Sequence, residues 1–174
     1  MSSGRRVVQK FKHTYQVVNL SPDPSSETAA NVLSPVGDLN KKTISAIKTE
    51  LLKHSEKYDS IICTAGGFNG SPLLSTGVKI TDPNFFEAYN QMVKMNVDST
   101  LLSSLDADAG AHLATQLLKK GGSLILTGAS GVYRTAAPDI MSYALAKNMV
   151  HAIAHNLSKS KCLPEDTKVW TILP

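Results

Sequence analysis

The sequence predicts an α/β fold, a doubly wound parallel sheet with helices on both faces, laid out as one domain over residues 1–174. Short apolar runs alternate with amphipathic segments at helical spacing, the sequence mark of β-α units around a parallel sheet. Two of those runs end in small-residue turns, Ala65-Gly66-Gly67 and Gly128-Ala129-Ser130. At 174 residues and 42% hydrophobic content the chain can bury one sizeable core and is too short for two ordinary domains.

Arg5-Arg6-Val7-Val8 reads as a first strand, followed almost directly by a second at 15–20 (YQVVNL). Residues 31–33 form a possible short strand, and 44–53 a helix with Ile44, Ile47, Leu51 and Leu52 on one side. The strand at 60–64 runs into Ala65-Gly66-Gly67, where the backbone can approach a ligand closely. Asp82 reads as an N-cap before Pro83, opening a long helix whose Phe85, Phe86, Tyr89, Met92 and Met95 are packing residues. The stretch Asp106 to Gly110 is a solvated interruption with too few oxygen ligands for a metal site; it has the look of an insertion. The helical pattern resumes through Leu113, Leu117 and Leu118 and stops at Gly121-Gly122. A strand at 123–127, a helix at 142–158 carrying Leu145, Met149, Ile153 and Leu157, and a last strand at 169–173 complete the series.

A net charge of +4 and a pI near 9.0 are mild, and the lysines are spread along helices without interleaved aromatics, which argues against nucleic-acid binding. Cys63 and Cys162 lack any pairing or metal-ligand spacing and read as free thiols of a reducing compartment. Arg5-Arg6 precedes no apolar leader, and no run of eighteen apolar residues exists, so a cytoplasmic protein without a membrane span is expected.

Tyr143 and Lys147 stand four apart on one helical face. A neighbouring cation favours the phenolate and makes the phenol a stronger acid, while Ser130, thirteen residues earlier, can hold the same substrate oxygen. That combination fits redox chemistry at a carbonyl-type group. The plain alternative is an amphipathic helix with Tyr143 over the core edge and Lys147 reaching to water.

Taken together, Ala65-Gly66-Gly67 after a strand, Asn96 in the long helix, Ser130 after a later strand and Tyr143-x-x-x-Lys147 resemble the short-chain dehydrogenase/reductase family in order and spacing. Cys63 through Phe68 (CTAGGF), Leu126 through Ser130 (LTGAS), Met141 through Lys147 (MSYALAK) and Ile172-Leu173-Pro174 look like its pteridine-reducing branch. The resemblance implies a Rossmann-like sheet and NADH- or NADPH-dependent reduction of quinonoid dihydropterin to the tetrahydro form. It implies catalytic roles for Tyr143, Lys147, Ser130 and Asn96: Tyr143 donates or polarises, Lys147 holds the nicotinamide ribose, and Asn96 supports a water beside Lys147. Cofactor contacts would come from Asn19, Asp38, Ala65, Gly66, Gly67, Thr127, Tyr143 and Lys147, and substrate contacts from Phe68, Ser130 and Tyr143. Phe68 either stacks on a flat pterin ring or folds onto the sheet end. Asn19 stands where the family has the acidic residue that binds the adenosine ribose, so NADPH is open as well as NADH. A homodimer through the long helix and the Tyr143 helix is also implied.

The family pattern includes a glycine-rich turn after the first strand, whose backbone N–H groups and helix N-terminus bind the pyrophosphate. Here Gln9 to Thr14 carry no glycine and leave no room for a parallel crossover, and the family's last strand has no counterpart. The sequence therefore reads as a truncated or deletion-bearing relative, a splice form or incomplete gene model among the origins. Weak NADH binding is expected. The rival expectation is an inactive relative that works by association with a full-length partner.

Overall fold

The computed structural model describes residues 3–21, 28, 30–33, 41–67, 80–104 and 113–174. Every strand pair in it is parallel. β1 (Val18–Ser21) pairs with β2 (Ala30–Leu33), whereas β3 (Tyr58–Cys63), β4 (Leu118–Thr127) and β5 (Lys168–Ile172) form a second ladder with β4 in the middle. The expected parallel α/β architecture is present, but as two sheets. Among the described residues no pairing joins β1 to β3.

The predicted first strand at Arg5-Val8 is instead helical, within α1 (Ser3–Phe11). Val7, Val8 and Phe11 fall on one side of a helix, and Val8 is buried, while Arg6, Gln9 and Lys10 stay wet or nearly so. The 15–20 strand begins only at Val18, because Tyr15 sets its ring edge-on against Phe11 at 5.6 Å. α2 (Lys41–Leu52) buries Ile47 and Leu51.

The long helix runs unbroken from Phe85 to Ser104 but changes its winding on the way. Asp82 does not cap it; its carboxylate accepts the Asn84 N–H (2.8 Å) and its carbonyl the Phe85 N–H (3.0 Å), so Pro83 lies in a lead-in turn before α3 (Phe85–Val93). A π turn over Lys94–Asp98 follows, then α4 (Ser99–Ser104). After α5 (Leu113–Leu117), Leu118 opens β4 where helix was expected. Tyr58 pairs with Leu118 and Ser60 with Ser123, so a wide bulge absorbs the glycines. Gly121 sits at φ +72° and donates its N–H to Glu165, and a side chain at Gly122 would strike the carbonyls of Lys119 and Asp59. α6 (Met141–Lys159) then returns the chain to β5.

One face of the three-stranded sheet, carrying Ile61, Cys63, Leu124, Leu126 and Val169, packs under Ala114 of α5 and Val150, Ala154 and Leu157 of α6. A second cluster joins Val32, Ile47, Leu51, Leu102, Leu113 and Leu117, with Val18, Leu20 and Tyr58 at its margin, and so ties the two-stranded ladder to the rest. The alternate residues look the other way. Ile62 and Ile125 are half-buried there, and Trp170 and Ile172 are 56% and 51% exposed. Asp38, Phe68 and the Asp106 to Gly110 stretch lie outside the described residues.

Candidate active site

Parallel strands bring the C-terminal ends of β3 and β4 to one edge, and the residues that follow them meet there. Gly66, three residues past the end of β3, adopts φ +111°, and a Cβ on it would lie 2.6 Å from the Asn96 Oδ1. That close approach lets Asn96 grip the turn from both sides: its Oδ1 accepts the Gly67 N–H (3.1 Å), and its Nδ2 donates to the Gly67 carbonyl (3.1 Å) and to the Met92 carbonyl (3.0 Å). Asn96 is wholly buried. The π turn makes this possible, since one extra residue in the turn shifts the side chains that follow around the helix axis.

From the other side comes α6. Its Ala144, Ala146 and Ala154 are small and buried, so the helix lies close to its neighbours. At 100° per residue Tyr143, Lys147 and His151 make one stripe. The Lys147 ammonium donates to the Thr127 carbonyl at 2.8 Å and is 3.4 Å from where a Gly66 Cβ would stand. Thr127 in turn donates its hydroxyl to the Cys63 carbonyl at 2.8 Å, joining the two strand ends. With only 3% exposure Lys147 is a buried cation; burial pulls its pKa below the ordinary lysine value, with Cys63 opposing.

Tyr143 is half-buried between Met92, Val97 and Ala146 on one side and Ala129, Val132 and Ala144 on the other. Burial raises its pKa above 10.0. The acidifying effect expected from Lys147 is not found, because the ammonium lies 5.9 Å from the ring centroid and spends its bond on Thr127. Ser130 opens a short 3-10 turn after β4, and both its N–H (3.2 Å) and its hydroxyl (2.7 Å) donate to the Pro174 carbonyl. Asn19 is in β1 and donates to the Asn31 side chain across the ladder at 2.9 Å.

Thus Gly66, Gly67, Asn96, Thr127 and Lys147 are brought into one cluster, Tyr143 stands a turn away on the same helix, and Ala65 lies exposed on the turn. The sequence reading passed over His151, whose spacing of four from Lys147 was the available signal. A separate apolar groove, lined by Val97, Leu101, Met149, Ile153 and Cys162, lies on the side of α6 turned away from Lys147. It holds no ionisable pair suited to the chemistry. Among the described residues no group of His, Cys, Asp or Glu can hold a metal ion, and no helix is long and apolar enough to cross a membrane.

No family model matches the chain. Dihydropteridine reductase of Dictyostelium discoideum is 27% identical over 172 residues, which are 98% of this chain and 68% of that protein. Among solved structures, a short-chain dehydrogenase/reductase from Serratia marcescens aligns with 100% of the chain and 73% of its own at TM-score 0.70 and 15% identity. A 4-hydroxyisoleucine dehydrogenase complexed with NADH and succinate aligns over 100% and 75% at TM-score 0.68 and 13% identity. A short-chain dehydrogenase from Salmonella enterica aligns over 100% and 72% at TM-score 0.67 and 16% identity. The chain therefore has the fold of the short-chain dehydrogenases/reductases and, within that group, resembles dihydropteridine reductase in sequence.

Proposed function

We propose that the chain is an NAD(P)H-dependent oxidoreductase that reduces a quinonoid dihydropterin to the tetrahydropterin. The observation that carries this reading is the buried Lys147 ammonium, held on Thr127 beside the Gly66 turn and Asn96, with the Tyr143 phenol one turn earlier on the same helix. A bound dihydronicotinamide would supply the hydride. Tyr143, kept protonated by its burial, delivers the proton to the substrate. Lys147 has donors beyond the one used on Thr127, which suit ribose hydroxyls. Ser130 offers its hydroxyl by turning from Pro174, and Asn96 keeps the Gly66-Gly67 backbone open to the ligand.

The fit to the cofactor is uneven. The cluster suits the nicotinamide and its ribose, whereas the described residues show no glycine-rich turn at a helix N-terminus near the start of the chain, where α1 runs through Arg5 to Val8. Asn19 brings no carboxylate against a 2'-phosphate, so NADPH and NADH are both candidates. The test is NADH and NADPH oxidation by purified protein with quinonoid dihydropterin, with calorimetric titration of each cofactor. Turnover abolished by Tyr143→Phe supports the reading, and absence of turnover with both cofactors rejects it.

A second reading is favoured by the apolar side chains left outside: Phe86 (73% exposed), Met95, Leu145 and Met149 on the α3, π-turn and α6 surface, and Trp170 and Ile172 on the sheet. In it the chain pairs through α3 and α6, with its own copy or a full-length relative, and has little turnover alone. Light scattering with and without that relative distinguishes the two.

A further inference from the structure

We propose that His151 is a positioning residue that sets the turn bearing Ser130, by accepting the Ala129 N–H on its ring. The Nε2 atom lies 3.2 Å from the Ala129 nitrogen. Lys147 takes the Thr127 carbonyl one helical turn earlier, so α6 grips the end of β4 twice, by a carbonyl and by an N–H two residues on.

Gly128, between those two points, is explained by the same ring. A Cβ there would stand 2.3 Å from His151 Nε2 and 2.6 Å from Cδ2, and its φ is not in the left-handed region. The glycine is thus needed to admit the imidazole and not to permit a turn. Tyr133, just past the Ser130 turn, meets the ring edge-on at 4.9 Å, and the Leu173 side chain would lie 2.8 Å from the same Gly128 Cβ. The site is built for one tautomer. With Nε2 accepting, the proton resides on Nδ1, which is buried and without a hydrogen-bond partner among the described residues.

Protonation would set an N–H against the Ala129 N–H and release the turn. Burial and the Lys147 charge both lower the His151 pKa below 6.5. Among the described residues the other charged or titratable groups beside the ring are the Tyr133 phenol and, 5.0 Å over the Tyr133 ring, the Arg134 guanidinium. Gly128, Ala129 and Leu173 bring none. The hold is therefore complete at neutral pH and is lost as pH falls through the lowered pKa.

The catalytic consequence rests on the oxidoreductase reading; the positioning does not. Nitrogen-15 spectra of the intact chain near neutral pH should show His151 as the Nδ1–H tautomer. On acidification the Ala129 and Ser130 amides should move with the His151 midpoint. His151→Gln, which keeps an acceptor, should abolish that titration and retain activity at acid pH; His151→Leu should quicken Ala129 amide exchange about tenfold or more and lower kcat/KM about 10- to 100-fold. Should His151→Leu not fold, Gly128→Ala supplies the same displacement from the other side, and His151→Ala/Gly128→Ala should recover folding without restoring the Ser130 shift. A protonated or Nε2–H ring at neutral pH, or Ala129 and Ser130 amides indifferent to His151, overturns the proposal. Wild-type protein without turnover rejects the enzyme reading, while the amide shifts still decide the positioning.

Discussion

Tyr143 and Lys147 occupy the same helical stripe, yet their environments pull them in ways that a spacing argument cannot supply. Lys147 is a buried cation whose hydrogen bond goes to backbone, and Tyr143 is a phenol held protonated by apolar neighbours. Because burial raises the Tyr143 pKa, its proton is held to higher pH than that of a free phenol and is lost as pH rises through the raised value. In kcat/KM against pH, the alkaline limb that belongs to Tyr143 should accordingly lie above that of a free phenol, and any limb at lower pH belongs to Lys147, whose pKa burial lowers. Tyr143→Phe should lower kcat by about 10²- to 10⁴-fold while the far-ultraviolet spectrum stays the same. The shared helical stripe of Tyr143 and Lys147 was legible in the sequence because a spacing of four fixes a common helix face. Their ionisation was not, since it depends on Met92, Ala129 and Val132, which are distant along the chain.

At the level of elements, the π turn over Lys94–Asp98 has the greatest effect on the site. It turns Asn96 inward, where the side chain supplies both a donor and an acceptor to Gly67. Asn96→Ala removes the partner of three backbone groups, the Gly67 N–H and the Gly67 and Met92 carbonyls, and should cost about 2–4 kcal/mol of stability, measured by urea unfolding. Gly66→Ala should be destabilising by the same assay, because its methyl meets Asn96 at a φ that disfavours any side chain. Hydrophobic periodicity revealed α2, α3 and α6 but misplaced the ends, as at Leu118, where cross-strand pairing with Tyr58 overrides helical spacing. The Val7-Val8 pair was read as strand for its β-branching, whereas two valines followed by Phe11 also make a helix face.

Across the whole molecule, the described residues form a large ladder under α5 and α6 and a small one that meets the rest through a shared apolar cluster. Two short strands are marginal by themselves. Amide exchange should therefore be fastest in β1 and β2, opening without global unfolding, and slowest at Leu124 and Leu126 in β4. Because the described residues show no glycine-rich turn at a helix N-terminus, NADH binding is expected to be far weaker than that of a short-chain dehydrogenase that has one, checked by parallel calorimetric titrations. The outward sheet face has one more consequence, optical in kind. Trp170 is the only tryptophan and is 56% exposed on that face. Its emission should sit close to that of free indole in water, with a small red shift on denaturation, so fluorescence will be a poor gauge of unfolding. Any protein that covers the β5 surface would instead draw the spectrum to the blue and protect the indole from iodide quenching, which gives the molecule a built-in light signal for what settles on its sheet.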